Sequence, residues 1–133
     1  MTVPVTTFFA SVFALIFVLL SIHVIRCRTE KKQPLGHGDD PELMRRLRAH
    51  ANFAEYIPFA IFLLFLAEWH AMNPWIIGLL YVALLLGRCS HLYSYLVHEA
   101  RSGKRIFRII GMALTFTVLA TAAIINLLQF LMS

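Results

Sequence analysis

Two groups of polar and ionisable side chains interrupt otherwise apolar stretches of this sequence. The first is Arg48, Asn52 and Glu55, spaced i, i+4, i+7, with Tyr56 beside them. At about 100° per helical residue these three fall within an arc of roughly 60°. The second is Arg88, His91, Tyr95 and His98, spaced i, i+3, i+7, i+10, again one stripe of a helix. An ionisable residue at the centre of a bilayer-spanning helix costs about 2.5–3.5 kcal/mol on insertion scales, so such residues usually face a protein interior and often mark function. If the first helix of the two enters the membrane core near Ala49 and the other leaves it near Leu96, Glu55 and Arg88 lie roughly 9–12 Å below one interface, at about 1.5 Å per residue. Opposite charges at one depth can pair, as Glu55 and Arg88 could, and two polar stripes at matched depth imply one shared polar cavity open to the cytoplasm. Singly, each residue has a structural reading: an ion pair, an interhelical amide, an arginine at the interface. Together they exceed what holding helices together requires, which favours a ligand site.

The side-chain types say what ligand suits such a site. Several arginines grip carboxylates bidentately. Glu55 accepts from an ammonium, and Asn52 and the tyrosines supply neutral hydrogen bonds. That describes a small zwitterion with surplus negative charge, such as a short peptide with free carboxylates. Apolar walls around it would admit a second, hydrophobic reactant.

The elements that position these residues follow from hydropathy. The chain has 133 residues, 59% of them hydrophobic, with a mean hydropathy of +0.73. Apolar runs at 5–25, 51–69, 74–97 and 106–132 approach or exceed the roughly 18–20 residues that cross a bilayer. They predict an all-α integral membrane four-helix bundle in a single domain, 1–133, with helices over 5–26, 41–69, 74–97 and 106–131. The first run has no basic residue before it and a basic cluster after it, the reverse of a cleaved signal peptide. Asp39-Asp40-Pro41-Glu42 and Asn73-Pro74 are capping signals for the second and third helices. Small residues Gly111, Ala113, Thr117, Ala120 and Ala123 let the fourth pack closely. Asn126 and Gln129 are read as serving helix packing or the outer interface.

Lys and Arg occur only within 26–48 and 88–108. The positive-inside rule then puts both basic connections in the cytoplasm and both termini on the non-cytoplasmic side. The net charge of +5 reads as topological charge facing anionic lipid, and no nucleic-acid partner is expected. Cys27 and Cys89 are read as free thiols. Two histidines on one stripe, without a carboxylate at metal-ligand spacing, give no reason to expect a metal. A proton-coupled exporter of similar size would need an acidic residue in the first helix, and there is none.

The segment Leu47-Arg48-Ala49-His50-Ala51-Asn52-Phe53-Ala54-Glu55-Tyr56-Ile57-Pro58 resembles the second-helix signature of the MAPEG family, the membrane-associated proteins in eicosanoid and glutathione metabolism. Gly87-Arg88 with His91 and Tyr95 resembles its third helix, and the stretch from Arg108 through Gly111 to Thr115 the start of its fourth in bacterial members. The resemblance implies a homotrimer with glutathione as co-substrate, bound between neighbours near the cytoplasmic face. It implies glutathione contacts from Arg48, Asn52, Glu55, Tyr56, Arg88, His91 and Tyr95, and from Arg26 or Arg28, preferably Arg28, of an adjoining subunit. It implies a catalytic arginine at Arg108, with Arg105 as the alternative. The expected function is a bacterial-type microsomal glutathione transferase-like enzyme of the inner membrane. It would join the glutathione thiolate to hydrophobic electrophiles or reduce lipid hydroperoxides. The alternative is a non-catalytic lipid- or partner-binding member.

Overall fold

The computed structural model describes residues 2–132, with residues 99 and 100 described for the backbone alone. Proline at the first helical position opens three helices: α1 (Pro4–Glu30), α2 (Pro41–Trp69) and α3 (Pro74–Tyr93). Proline lacks the N–H that a first turn leaves unpaired, so it costs nothing there. Asp40 caps α2 by accepting from the Leu43 amide at 2.7 Å, and Asn73 caps α3 by accepting from the Trp75 amide at 2.9 Å. The cap of α1 comes from a distance. The Glu68 carboxylate, buried at the end of α2, accepts from the amides of Val5 and Thr6 at 3.0 and 2.8 Å.

After Tyr93 the third helix does not simply run on to 97. It widens into a π turn over Ser94–His98, followed by the short α4 (Glu99–Ser102). Then comes α5 (Ile106–Leu131). The first helix also runs past residue 26 to Glu30, so Arg26 and Arg28 are helical. Among the described residues the fold is all-helical, and four helices are long and apolar enough to cross a membrane. The protein is a multi-pass integral membrane protein.

α3 packs most extensively on α5, and α1 on α2. The α3–α5 approach depends on two glycines. A Cβ on Gly111 would stand 2.5 Å from the Gly87 carbonyl oxygen and 2.8 Å from the His91 Cβ, and one on Gly87 would stand 3.0 Å from the Leu114 Cβ. α5 is also tied to α2: Asn126 donates to the Leu63 carbonyl at 2.9 Å, and Gln129 to those of Ala67 and His70 at 3.3 and 3.2 Å. Phe13, Phe53, Ile57, Tyr81, Leu84 and Val118 form the apolar centre.

The α1–α2 connection is held by charge. Arg28 donates through Nη1 to the carbonyls of Gln33, Pro34 and Gly36 at 3.0–3.1 Å. Lys31 bridges Asp40 at 2.5 Å and Glu42 at 3.0 Å. The Lys31 bond, with help from the Leu43 amide, holds the Asp40 carboxyl below the usual carboxylate range. Lys31 is in turn pushed up by its bonds to Asp40 and Glu42.

Candidate functional site

The polar residues form two layers, one deep in the bundle and one open at its basic end. In the deep layer Arg88 is fully buried between α2, α3 and α5. Its Nη2 donates to Asn52 Oδ1 at 2.7 Å and meets His91 Nδ1 at 3.4 Å. Its Nη1 donates to Thr115 Oγ1 at 3.4 Å and approaches Met112 Sδ at 4.0 Å. Thr115 gives its own proton to the Gly111 carbonyl at 2.8 Å, which frees its lone pairs for Arg88. The guanidinium is thus solvated by neutral groups, and its buried Nε has no hydrogen-bond partner.

A Glu55–Arg88 pair is therefore not made. Glu55 is exposed, and the ion pairs among the described residues lie in and beside the α1–α2 connection: Lys31–Asp40, Lys31–Glu42 and Arg46–Glu42. The reason is rotation about α2. The stripe straddles an edge, with Asn52 and Tyr56 turned inward and Arg48 and Glu55 left on the exposed side. Tyr56 packs edge-on against Phe116 of α5, ring centroids 5.6 Å apart.

The open layer is a cleft of about 460 Å³ lined by Met44, Arg45 and Arg48 of α2, Tyr95 of the π turn and Arg108 of α5. Arg108 Nη1 donates to the Tyr95 hydroxyl at 3.1 Å, and its guanidinium carbon lies 5.1 Å from the ring centroid. Tyr95 stands edge-on to His91 at 5.1 Å, so the two layers touch. Two local features make this meeting possible. The π turn inserts an extra residue per turn and so resets where Tyr95 points, a distortion common at functional sites. The Gly87–Gly111 contact brings the first turn of α5 against α3, and Ser90 Oγ adds a bond to the Phe107 carbonyl at 2.8 Å.

Of the two arginines competing at the start of α5, Arg108 lines the cleft, while Arg105 is exposed at the helix cap. Arg28 is turned to its own connection and Arg26 to a different groove. His98 sits away from the cleft, stacked on Tyr93 and edge-on to Phe107. Met44, Arg45, Met112 and Thr115 were not among the site residues expected from the sequence, although Met112 and Thr115 lie in the fourth-helix stretch that carries the resemblance. The first two were signalled by their spacing of four and three residues, about one turn, before Arg48, and Thr115 by standing four residues after Gly111.

A model of the MAPEG family matches residues 6–128. The chain is 32% identical over 125 residues to inner membrane protein YecN of Escherichia coli strain K12, across 92% of this chain and 90% of that protein. The same figures hold for inner membrane protein YecN of Escherichia coli O6:H1 strain CFT073. With a match that reaches all four membrane-length helices, this chain belongs to the MAPEG family.

Proposed function

We propose that the protein is a glutathione-dependent transferase, with peroxidase capacity, of a bacterial inner membrane, with its cleft opening to the cytoplasm. The observation that carries this is the convergence of Arg45, Arg48 and Arg108 with the Tyr95 hydroxyl on one cleft. Glutathione presents two carboxylates and a thiol that becomes anionic. Arg45 and Arg48 suit the carboxylates, where the planar fork of guanidinium gives paired bonds. Arg108 suits the sulfur, since the thiolate is the nucleophile and adjacent positive charge lowers its pKa. Tyr95 accepts from Arg108 and keeps its own hydroxyl proton to donate to that sulfur. Asn52, Arg88 and His91 hold the floor beneath it.

The thiol proton leaves to solvent, and the sulfur lone pair forms the new bond. With an electrophilic carbon, S–C forms and the leaving group departs with its bonding pair. With a hydroperoxide, the sulfur attacks the terminal oxygen, the O–O bond breaks and the alkoxide takes a proton. A second glutathione then converts the sulfenic product to disulfide and water. Partial exclusion of water by the bilayer strengthens the Arg108–thiolate attraction.

Assembly as a homotrimer belongs to this reading. Glu55 and Arg48 are exposed on one edge of a membrane-crossing helix, an expensive arrangement unless a second copy covers it. There Glu55 would accept from the glutathione ammonium beside Tyr56, and Arg28 would act across the subunit boundary. The basic α1–α2 and α3–α5 connections lie at the cleft's end of the bundle, which by the positive-inside rule faces the cytoplasm.

Calorimetric titration of the purified protein with glutathione tests the reading. Saturable binding is expected, weakened about tenfold or more by Arg48→Ala, as loss of one charge-assisted contact requires. Absence of saturable binding to the wild-type protein would sink it and leave a non-catalytic lipid- or partner-binding membrane protein.

A further inference from the structure

Two grooves run along α1 at membrane depth, and they differ in charge. The groove against α2 holds about 400 Å³ and is apolar throughout, with Phe13, Phe17, Phe53 and Pro58 in its walls. The groove between α1 and the end of the third helix holds about 380 Å³ and is amphipathic along its length. It is apolar at Ile16, Leu19, Leu20 and Leu96, then ends at His23 and Arg26. From Ile16 to Arg26 is roughly 15 Å at about 1.5 Å per residue, which is half of the roughly 30 Å hydrocarbon core. The groove therefore spans one leaflet, with its polar end at the basic end of the bundle.

Arg26 is exposed and has no ion-pair partner among the described residues. Glu30, four residues on along α1, makes no ion pair with it, and Glu42 at the start of α2 is already bound by Lys31 and Arg46. Arg46 also donates to the His23 carbonyl at 3.3 Å, which adds positive potential at the groove's mouth. A free cation above an apolar trough of single-leaflet length is the complement of one molecule type.

We propose that this groove binds an anionic phospholipid of the leaflet at the basic end, its phosphate at Arg26 and His23 and an acyl chain along Leu19, Leu20 and Leu96. The site is separate from the arginine cleft and does not depend on what that cleft binds.

Native mass spectrometry of the detergent-purified protein, titrated with phosphatidylglycerol or phosphatidylcholine of matched chains, tests the site. Phosphatidylglycerol is expected to bind about fivefold tighter or more, the preference one arginine near a membrane surface supports. Arg26→Gln should abolish that preference and leave phosphatidylcholine binding as it was. Leu19→Trp should fill the trough and weaken both lipids, whereas Ala14→Trp in the apolar groove should change neither. Arg101→Gln, an exposed basic residue at the same end, should also change neither. If Arg26→Gln does not fold, His23→Leu reads the same end of the groove and should reduce the preference. Equal binding of both lipids overturns the proposal. So does an equal effect of Arg101→Gln, which would mean diffuse surface charge. Disulfide cross-linking of a Leu19→Cys variant between copies would put a second copy of the chain in the groove and overturn it as well.

Discussion

Asn52 gives Arg88 its shortest hydrogen bond, at 2.7 Å, while Thr115 and His91 contribute longer ones. Truncating the acceptor leaves the charge buried and short of a partner, whereas removing both members leaves nothing to satisfy. Hydrogen bonds to charged groups are worth about 1.5–3 kcal/mol each. Asn52→Leu should cost about that much in unfolding measurements in mixed micelles. The double variant Asn52→Leu, Arg88→Met should cost less than the two single effects summed. A strictly additive result would mean that the 2.7 Å contact carries no energy. Both residues were legible in the sequence, because spacing alone puts each on a polar stripe. Their pairing was not. Glu55 matched Arg88 in charge and depth, but spacing gives rotation about a helix axis and not which edge of the stripe meets a neighbour. The roles of Arg105 and Arg108 were open for a related reason: three residues apart at a helix start, they point within about 60° of each other, and spacing alone does not say which one the helix cap leaves outside.

Among the helices, the local start signals were legible and the remote ones were not. Asp40-Pro41 and Asn73-Pro74 act within three residues of themselves. The α1 cap, Glu68, acts across 62 and 63 residues, and no local pattern points to it. The π turn at Ser94–His98 also leaves no mark in hydropathy, yet it sets the direction of Tyr95. The α3–α5 contact is open to direct test. Gly111→Ala would force a Cβ to 2.5 Å from the Gly87 carbonyl oxygen. Overpacking of this kind costs typically about 1–3 kcal/mol, and it should also slacken the Arg108–Tyr95 contact. Gly78, with nothing within 4 Å of an added Cβ, is the control: Gly78→Ala should be neutral or stabilise by up to about 1 kcal/mol. Thermal unfolding of both variants decides it. A Gly111→Ala protein as stable as wild type would mean that the helices are not held at glycine distance.

At the scale of the whole molecule, four apolar runs settle the architecture, because a bilayer admits few alternatives to closed helices. The site is harder to read from a single chain. One copy supplies Arg45, Arg48, Tyr95 and Arg108 around a cleft, yet leaves Glu55 exposed on the adjoining edge. Whether the cleft performs thiol chemistry turns on the charge it presents to sulfur. The most direct measurement is the ultraviolet difference absorbance of thiolate when glutathione is added to the purified protein. Thiolate is expected near neutral pH, with the bound thiol about one pKa unit or more below its usual value of about 8.5. Arg108→Ala should abolish this signal and Arg105→Ala should retain it. Glutathione that binds only as the neutral thiol would rule out thiolate formation in the cleft, and a signal lost in Arg105→Ala and kept in Arg108→Ala would rule out Arg108 as the residue that stabilises it.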